Sequence, residues 1–286
     1  MIDFINDLMN YKFLQHALIA GFVVSLTCSL LSSFVVLKKM AFIGQGISHT
    51  AFGGVALGLL LKDFLPNFNI NISLITSIFT IGSSTLIWVF SRKKKISEDS
   101  AIGILLVTAM ALGILFLGFR KSYTYDIFGY LFGNIISVGE DDVWIISITG
   151  FMIISIVIIF FKRLFYFIFD PDSASVAGLN IDFYHLLLLT LLSITIVISI
   201  KVVGIILVSA YLVISGATAQ LLTKSLKKMM LISIIVGFIS TFLGLFVSNS
   251  YELPSGAVIV LTMLFFFILA LIINYLKKRR LQLKEQ

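Results

Sequence analysis

Stretches of roughly 20 nearly uncharged residues recur along this chain almost without a break, and that length of helix is what a hydrocarbon core of ~30 Å requires. They centre on Leu14–Leu37, Ala41–Leu61, Ile70–Phe90, Ala101–Gly118, Val143–Phe161, Phe183–Ile200, Val203–Leu222, Met229–Val247 and Gly256–Tyr275. Of the 286 residues 59% are hydrophobic and only 12% charged, more apolar surface than a water-soluble domain of this size can hide. Strands of about ten residues with two-residue alternation, the signature of a membrane barrel, are absent from the pattern. The expected fold is all-α: one polytopic membrane domain over residues 1–286, with nine spanning helices. The connection at Lys201 is very short, so the two spans around it could form one broken element, which would lower the count to eight and move the N-terminus to the other side.

Charge placement orients the bundle. With the N-terminus outside and nine spans, 16 of the 21 Lys and Arg residues fall in cytoplasmic segments, among them Lys38, Lys39, Arg92 to Lys95, Lys162, Arg163 and the Lys277 to Arg280 run. The other five, Lys12, Lys62, Arg120, Lys121 and Lys201, lie outside. This follows the positive-inside rule and puts the C-terminus in the cytoplasm, its basic run against anionic lipid and not against nucleic acid. No cleavable leader is expected, because Asp3 and Asp7 precede the first apolar run and no basic segment leads it. The single cysteine, Cys28, leaves neither a disulfide framework nor a thiolate cluster within one chain. There is no glycine-rich phosphate loop ending in Lys-Ser/Thr, no His-Glu-x-x-His and no Gly-x-Ser-x-Gly. Uphill movement of a solute would therefore draw its energy from a partner or from an ion gradient.

Within this apolar background the stretch FIGQGISHTAFGGVALG, residues 42–58, stands apart. Gln45 and His49 are spaced i, i+4 and so share one helix face, and five glycines fall in the same span. Polar side chains at membrane depth are costly and normally face a bundle interior or a wet path; glycines let neighbouring backbones approach. From the residues alone, His49 is either a histidine hydrogen-bonded for packing or a ligand on a transport path. A second signal is FDPDSASVAGLN, residues 169–180. Asp170, Pro171 and Asp172 read as a helix start and Gly178-Leu179-Asn180 as a stop, giving a short helix at the cytoplasmic surface. That helix is either an ordinary loop helix or one that docks into a partner. The small-residue run Ser215 to Ala219 would allow close contact or a local break. Residues 126–142 read as a re-entrant or interfacial piece ending in Glu140, Asp141 and Asp142, and Asp99 as a helix cap at the start of the fourth span.

Taken in order, FIGQGISHTAFGGVALG, SEDSAIGILLVTAMALG, YLFGNIISV, DPDSASVAGL and KVVGIILVSAYLVISGATA resemble the integral-membrane permease of bacterial zinc, manganese and iron ABC importers, over nearly the whole chain. The resemblance implies the metal- or chelate-type ABC importer permease fold in the bacterial plasma membrane. It implies a homodimer, each copy gripping a cytoplasmic ABC ATPase subunit that hydrolyses the ATP, with a separate extracytoplasmic metal-binding protein delivering the ion. No enzymatic role and no covalently bound cofactor are expected; the transported divalent metal ion is cargo. Residues 170–180 would be the coupling helix, with Asp170, Asp172, Ala174 and Gly178 as its ATPase-contacting and shaping residues. The metal path would use His49 as ligand and Gln45 as second ligand or orienting group. Two positions depart from the family pattern: Gln45 stands where Asp is common, and Ser215-Gly216 where Pro-Ala is common. An amide oxygen is a weaker, uncharged ligand, so the charge compensation for a divalent ion is reduced here. The remaining readings are a permease for a siderophore- or cobalamin-type chelate and a gradient-driven secondary transporter. An intramembrane enzyme lacks paired catalytic groups.

Overall fold

The computed structural model describes residues 9–66, 68–92, 96–120 and 138–282. The interfacial piece expected at residues 126–142 lies, up to residue 137, outside them. The described elements are α1 (Lys12–Leu37), α2 (Ile43–Phe64), α3 (Ile72–Arg92), α4 (Glu98–Gly118), α5 (Glu140–Phe169), the short α6 (Pro171–Val176), α7 (Ile181–Ala210), a π-helical turn (Tyr211–Ser215), α8 (Gly216–Leu222), α9 (Leu226–Tyr251) and α10 (Ser255–Gln282). No strand occurs among the described residues.

Seven of these helices are long and apolar enough to cross a membrane, the element Ile181–Leu222 counting as one of 42 residues. The 22-residue α2 stands outside that group because its glycines, Gln45, Ser48 and His49 dilute its apolar content. A straight 42-residue helix would overshoot any bilayer, and this one does not run straight. Gly204 adopts φ 78°, ψ 167°, a conformation open to glycine alone, and the helix breaks there. The contacts on either side show that the chain doubles back. Asp182 pairs with Arg92 at the end of α3. Lys201 pairs with Asp142 at the opposite end of α5 from Phe167, whose ring lies by His185. From Asp182 to Lys201 a helix rises roughly 28 Å. Gly216 has nonetheless returned to donate its N–H to Ser32 Oγ (2.8 Å), little more than a turn from the end of α1. The element Ile181–Leu222 is therefore two antiparallel legs, with the break at Gly204 and not at the Ser215-Gly216 position.

The centre of the bundle is α1 against α9 and the returning leg of the broken element. The contact is close because the facing residues are small. A Cβ at Gly216 would meet the backbone oxygen of Ser32 at 2.7 Å, and one at Gly237 would run into the side chain of Ser29. Hydroxyls satisfy themselves across the seam: Ser233 Oγ donates to the Ser29 carbonyl (2.8 Å) and lies 3.2 Å from Ser33 Oγ, and Tyr211 and Thr241 share a hydrogen bond.

Candidate functional site

The glycines of α2 decide which way its polar face points. Gly46 sits against Ile102 of α4, Gly53 against the Ala109 carbonyl and Phe79, Gly54 against the Thr76 backbone and Gly58 against Ile72. A side chain at any of these would hold α3 or α4 away. With that face packed, Gln45 is left exposed and His49 half-buried at the edge of the glycine face. The sequence led one to expect this pair facing the interior of the bundle. In the structure Gln45 faces out of the chain's own packing and His49 lies at its edge, since the packed face of the helix is made by its glycines together with Ser48 and Thr50. His49 Nδ1 is shielded and has no hydrogen-bond partner. Packing by a hydrogen bond to another helix is thus not what this imidazole nitrogen does in the isolated chain. Thr50, by contrast, turns its hydroxyl to the Ile47 carbonyl (2.8 Å). Among the described residues no three His, Cys, Asp or Glu side chains gather into a metal-holding group. What α2 offers is one imidazole and one amide, open towards whatever lies beyond the chain.

The short helix expected at residues 170–180 is present as α6. Asp170 caps α6, its carboxylate accepting from the Ser173 N–H (3.0 Å), and Pro171 fills the first helical position. Hydrogen bonding to the Ser173 side chain first, and to its backbone N–H second, holds the Asp170 carboxyl below the usual aspartate range. Asp172 is exposed in the first turn, and Ala174 is buried at 2%, the residue by which the helix rests on the bundle. Gly178 ends the helix at φ 84°, where L-side chains are strained, and the Leu179 N–H returns to the Ala174 carbonyl (3.0 Å). Between these lies a residue the sequence did not single out: Val176, 92% exposed at the outermost turn.

Asp99 is not a cap. Ser97 caps α4, accepting from the Ser100 N–H (3.1 Å), and Asp99 merely adds negative charge to the first turn. The neighbouring Glu98 has the more specific place. Its Oε1 lies 3.3 Å from His185 Nε2 in the first turn of α7, and Lys38 at the end of α1 is within electrostatic reach of both. Nothing in the sequence pointed to this group, whose members come from three separate helices.

The model of the ABC 3 transport family matches residues 10–274. The manganese transport system membrane protein MntC of Listeria innocua is 38% identical over 267 residues, covering 93% of this chain and 92% of that protein. The manganese import system permease protein ScaB of Streptococcus gordonii is 37% identical over 281 residues, 97% of this chain and 98% of that one. Among solved structures, PsaBC from Streptococcus pneumoniae in complex with Fab superposes with a TM-score of 0.82 at 36% identity, covering 94% of this chain and 95% of that chain.

Proposed function

The chain belongs to the ABC 3 transport family, and from that membership we propose that it is the permease of an ATP-driven importer that carries manganese into a bacterial cell. It is a multi-pass membrane subunit of a transporter, and the ATPase is a separate chain. Manganese is preferred to zinc or iron because relatives with 35–38% identity carry manganese in their names.

The observation that carries the reading is the open face of α2. An exposed amide and a half-buried imidazole whose Nδ1 has no partner within the chain suit a path completed by a second copy. Two such faces would supply two His49 imidazoles and two Gln45 oxygens. Mn²⁺ accepts both nitrogen and oxygen donors, and a few neutral ligands hold it loosely enough for release. An external binding protein would deliver the ion, and ATPase subunits would dock on α6, with Val176 as the apolar contact. ATP binding would then draw the two α6 helices together and turn the path from the outer to the inner face. The C-terminus lies in the cytoplasm on this reading, in keeping with the basic Lys277 to Arg279 run.

The test is uptake by the permease–ATPase complex in liposomes, with the binding protein loaded in turn with Mn²⁺, Zn²⁺ and Fe²⁺. ATP-dependent accumulation of Mn²⁺ above the other two is the expected result. Preference for zinc or iron would correct the cargo, and ATP-independent uptake would overturn the importer reading.

A further inference from the structure

The first turn of α7, directly after the coupling helix, is tied to three other helices at once. Asp182 pairs with Arg92 of α3 at 2.7 Å, Tyr184 accepts from Arg163 of α5 at 3.1 Å, and His185 meets Glu98 of α4 at 3.3 Å. The first of these pairs is half exposed, and pairs of that kind contribute little. The last is different. The His185 side chain is 11% exposed and Glu98 29%, and His185 Nε2 is shielded from water. At 3.3 Å it faces the carboxylate without the alignment of a hydrogen bond, so the contact is present but not locked.

Glu98 begins the helix that packs against α2. One turn further along α4, Ile102 presses into the gap at Gly46, beside Gln45, and two turns beyond that the Ala109 carbonyl abuts Gly53. Contacts this close leave no slack: α4 cannot shift along α2 without moving the residues it touches. We propose that the Glu98–His185 contact, steadied by Lys38, is the positioning link through which displacement of the coupling helix reaches the polar face of α2. The inference rests on the reading of residues 170–180 as the ATPase contact. Movement of α6 carries the start of α7 with it, because only residues 177–180 separate them. His185 then draws or releases Glu98, and α4 passes the shift to Gly46 and Gln45. Lys38 lies over the Phe167 ring at 4.2 Å, where the end of α5 meets the same junction, and burial there pushes its ammonium pKa down.

The natural cysteine, Cys28, is fully buried, which makes a single introduced thiol a clean reporter. In the intact permease–ATPase complex, Gln45→Cys would be labelled with a soluble maleimide in the nucleotide-free and the ATP-trapped states. The labelling rate is expected to differ by about fivefold or more between the states. Adding Glu98→Gln or His185→Gln should bring the two rates together while the ATPase still copurifies in equal amount, and combining both should do no more than either alone. An unchanged nucleotide response in both variants overturns the proposal, as does the absence of any response in the parent. Loss of copurified ATPase in both would mean that the pair serves assembly and not transmission, which also overturns it. The readout involves no metal, so it fails or succeeds independently of the cargo assigned above.

Discussion

Helices α1 and α10 have the same chemistry at first sight and opposite fates. Over its most apolar stretch α1 is 72% buried, whereas α10, the more apolar of the two, is only 22% buried. In water that order would be reversed. In lipid, hydrocarbon is no worse a neighbour than leucine, so apolarity does not choose what goes inside. The difference lies in small and hydroxylated residues. Helix α1 buries Ser25, Thr27, Ser29, Ser32 and Ser33, and through them it meets Gly216, Gly237 and Ser233. Helix α10 faces outward with Leu261, Phe265, Ile268, Ile272 and Tyr275, and its Thr262 hydroxyl closes on its own helix at the Val258 carbonyl. Close backbone approach and hydroxyl pairing select the interior of this protein.

The largest test of that contrast is a methyl group. Gly216→Ala places a Cβ against the Ser32 backbone and should cost about 1–3 kcal/mol, read as a lower midpoint of thermal unfolding in detergent. Gly103→Ala, on the open side of α4 with nothing within 4 Å, should cost nothing and gain up to about 1 kcal/mol. Equal effects at the two glycines would remove the distinction. Gly178 also has open space around it, but its positive φ makes the backbone the obstacle. Gly178→Ala should weaken the end of α6 by about 1–2 kcal/mol and show as reduced ATPase copurification with little change in the fold of the bundle. The Asp170 cap adds a pH signature. A carboxyl whose pKa is lowered by folding stabilises the helix above its unfolded pKa, and that support is lost as the pH falls through the folded one. ATPase association should therefore be flat around neutrality and weaken only in acid.

Smaller effects follow. Ser233→Ala removes the hydroxyl between Ser29 and Ser33 and should cost about 0.6 kcal/mol. Ile272→Ala, at a position 50% exposed on α10, should stay within about 0.5 kcal/mol. If Ile272 proved the costlier of the two, α10 would have a protein partner over that face and not lipid.

The parts of this molecule that could be read from its residues are those whose signal is local. The Asp170-Pro171 start and the Gly178 stop are backbone rules, and α6 lies between them. The Gln45–His49 face was legible from its spacing, but its direction was not. That depended on four of the glycines packing on α3 and α4 while Gly44 meets Leu212, an outcome of packing across helices. The connection expected at Lys201 falls three residues from the break, but Gly204 itself is one of 20 glycines in the chain, most of which sit in unbroken helix. Nor do Glu98, His185 and Lys38 carry any shared pattern. They belong to different helix ends that only the fold brings together.

On the proposed reading the ion passes along the polar face of α2. The most direct measurement is Mn²⁺ uptake alongside ATP hydrolysis in liposomes containing the whole complex, native beside His49→Ala. The account predicts uptake reduced by at least about tenfold with ATP hydrolysis and ATPase copurification retained, because the variant removes a ligand and leaves the glycine packing alone. Uptake that survives His49→Ala at the native rate would contradict it and return this histidine to packing.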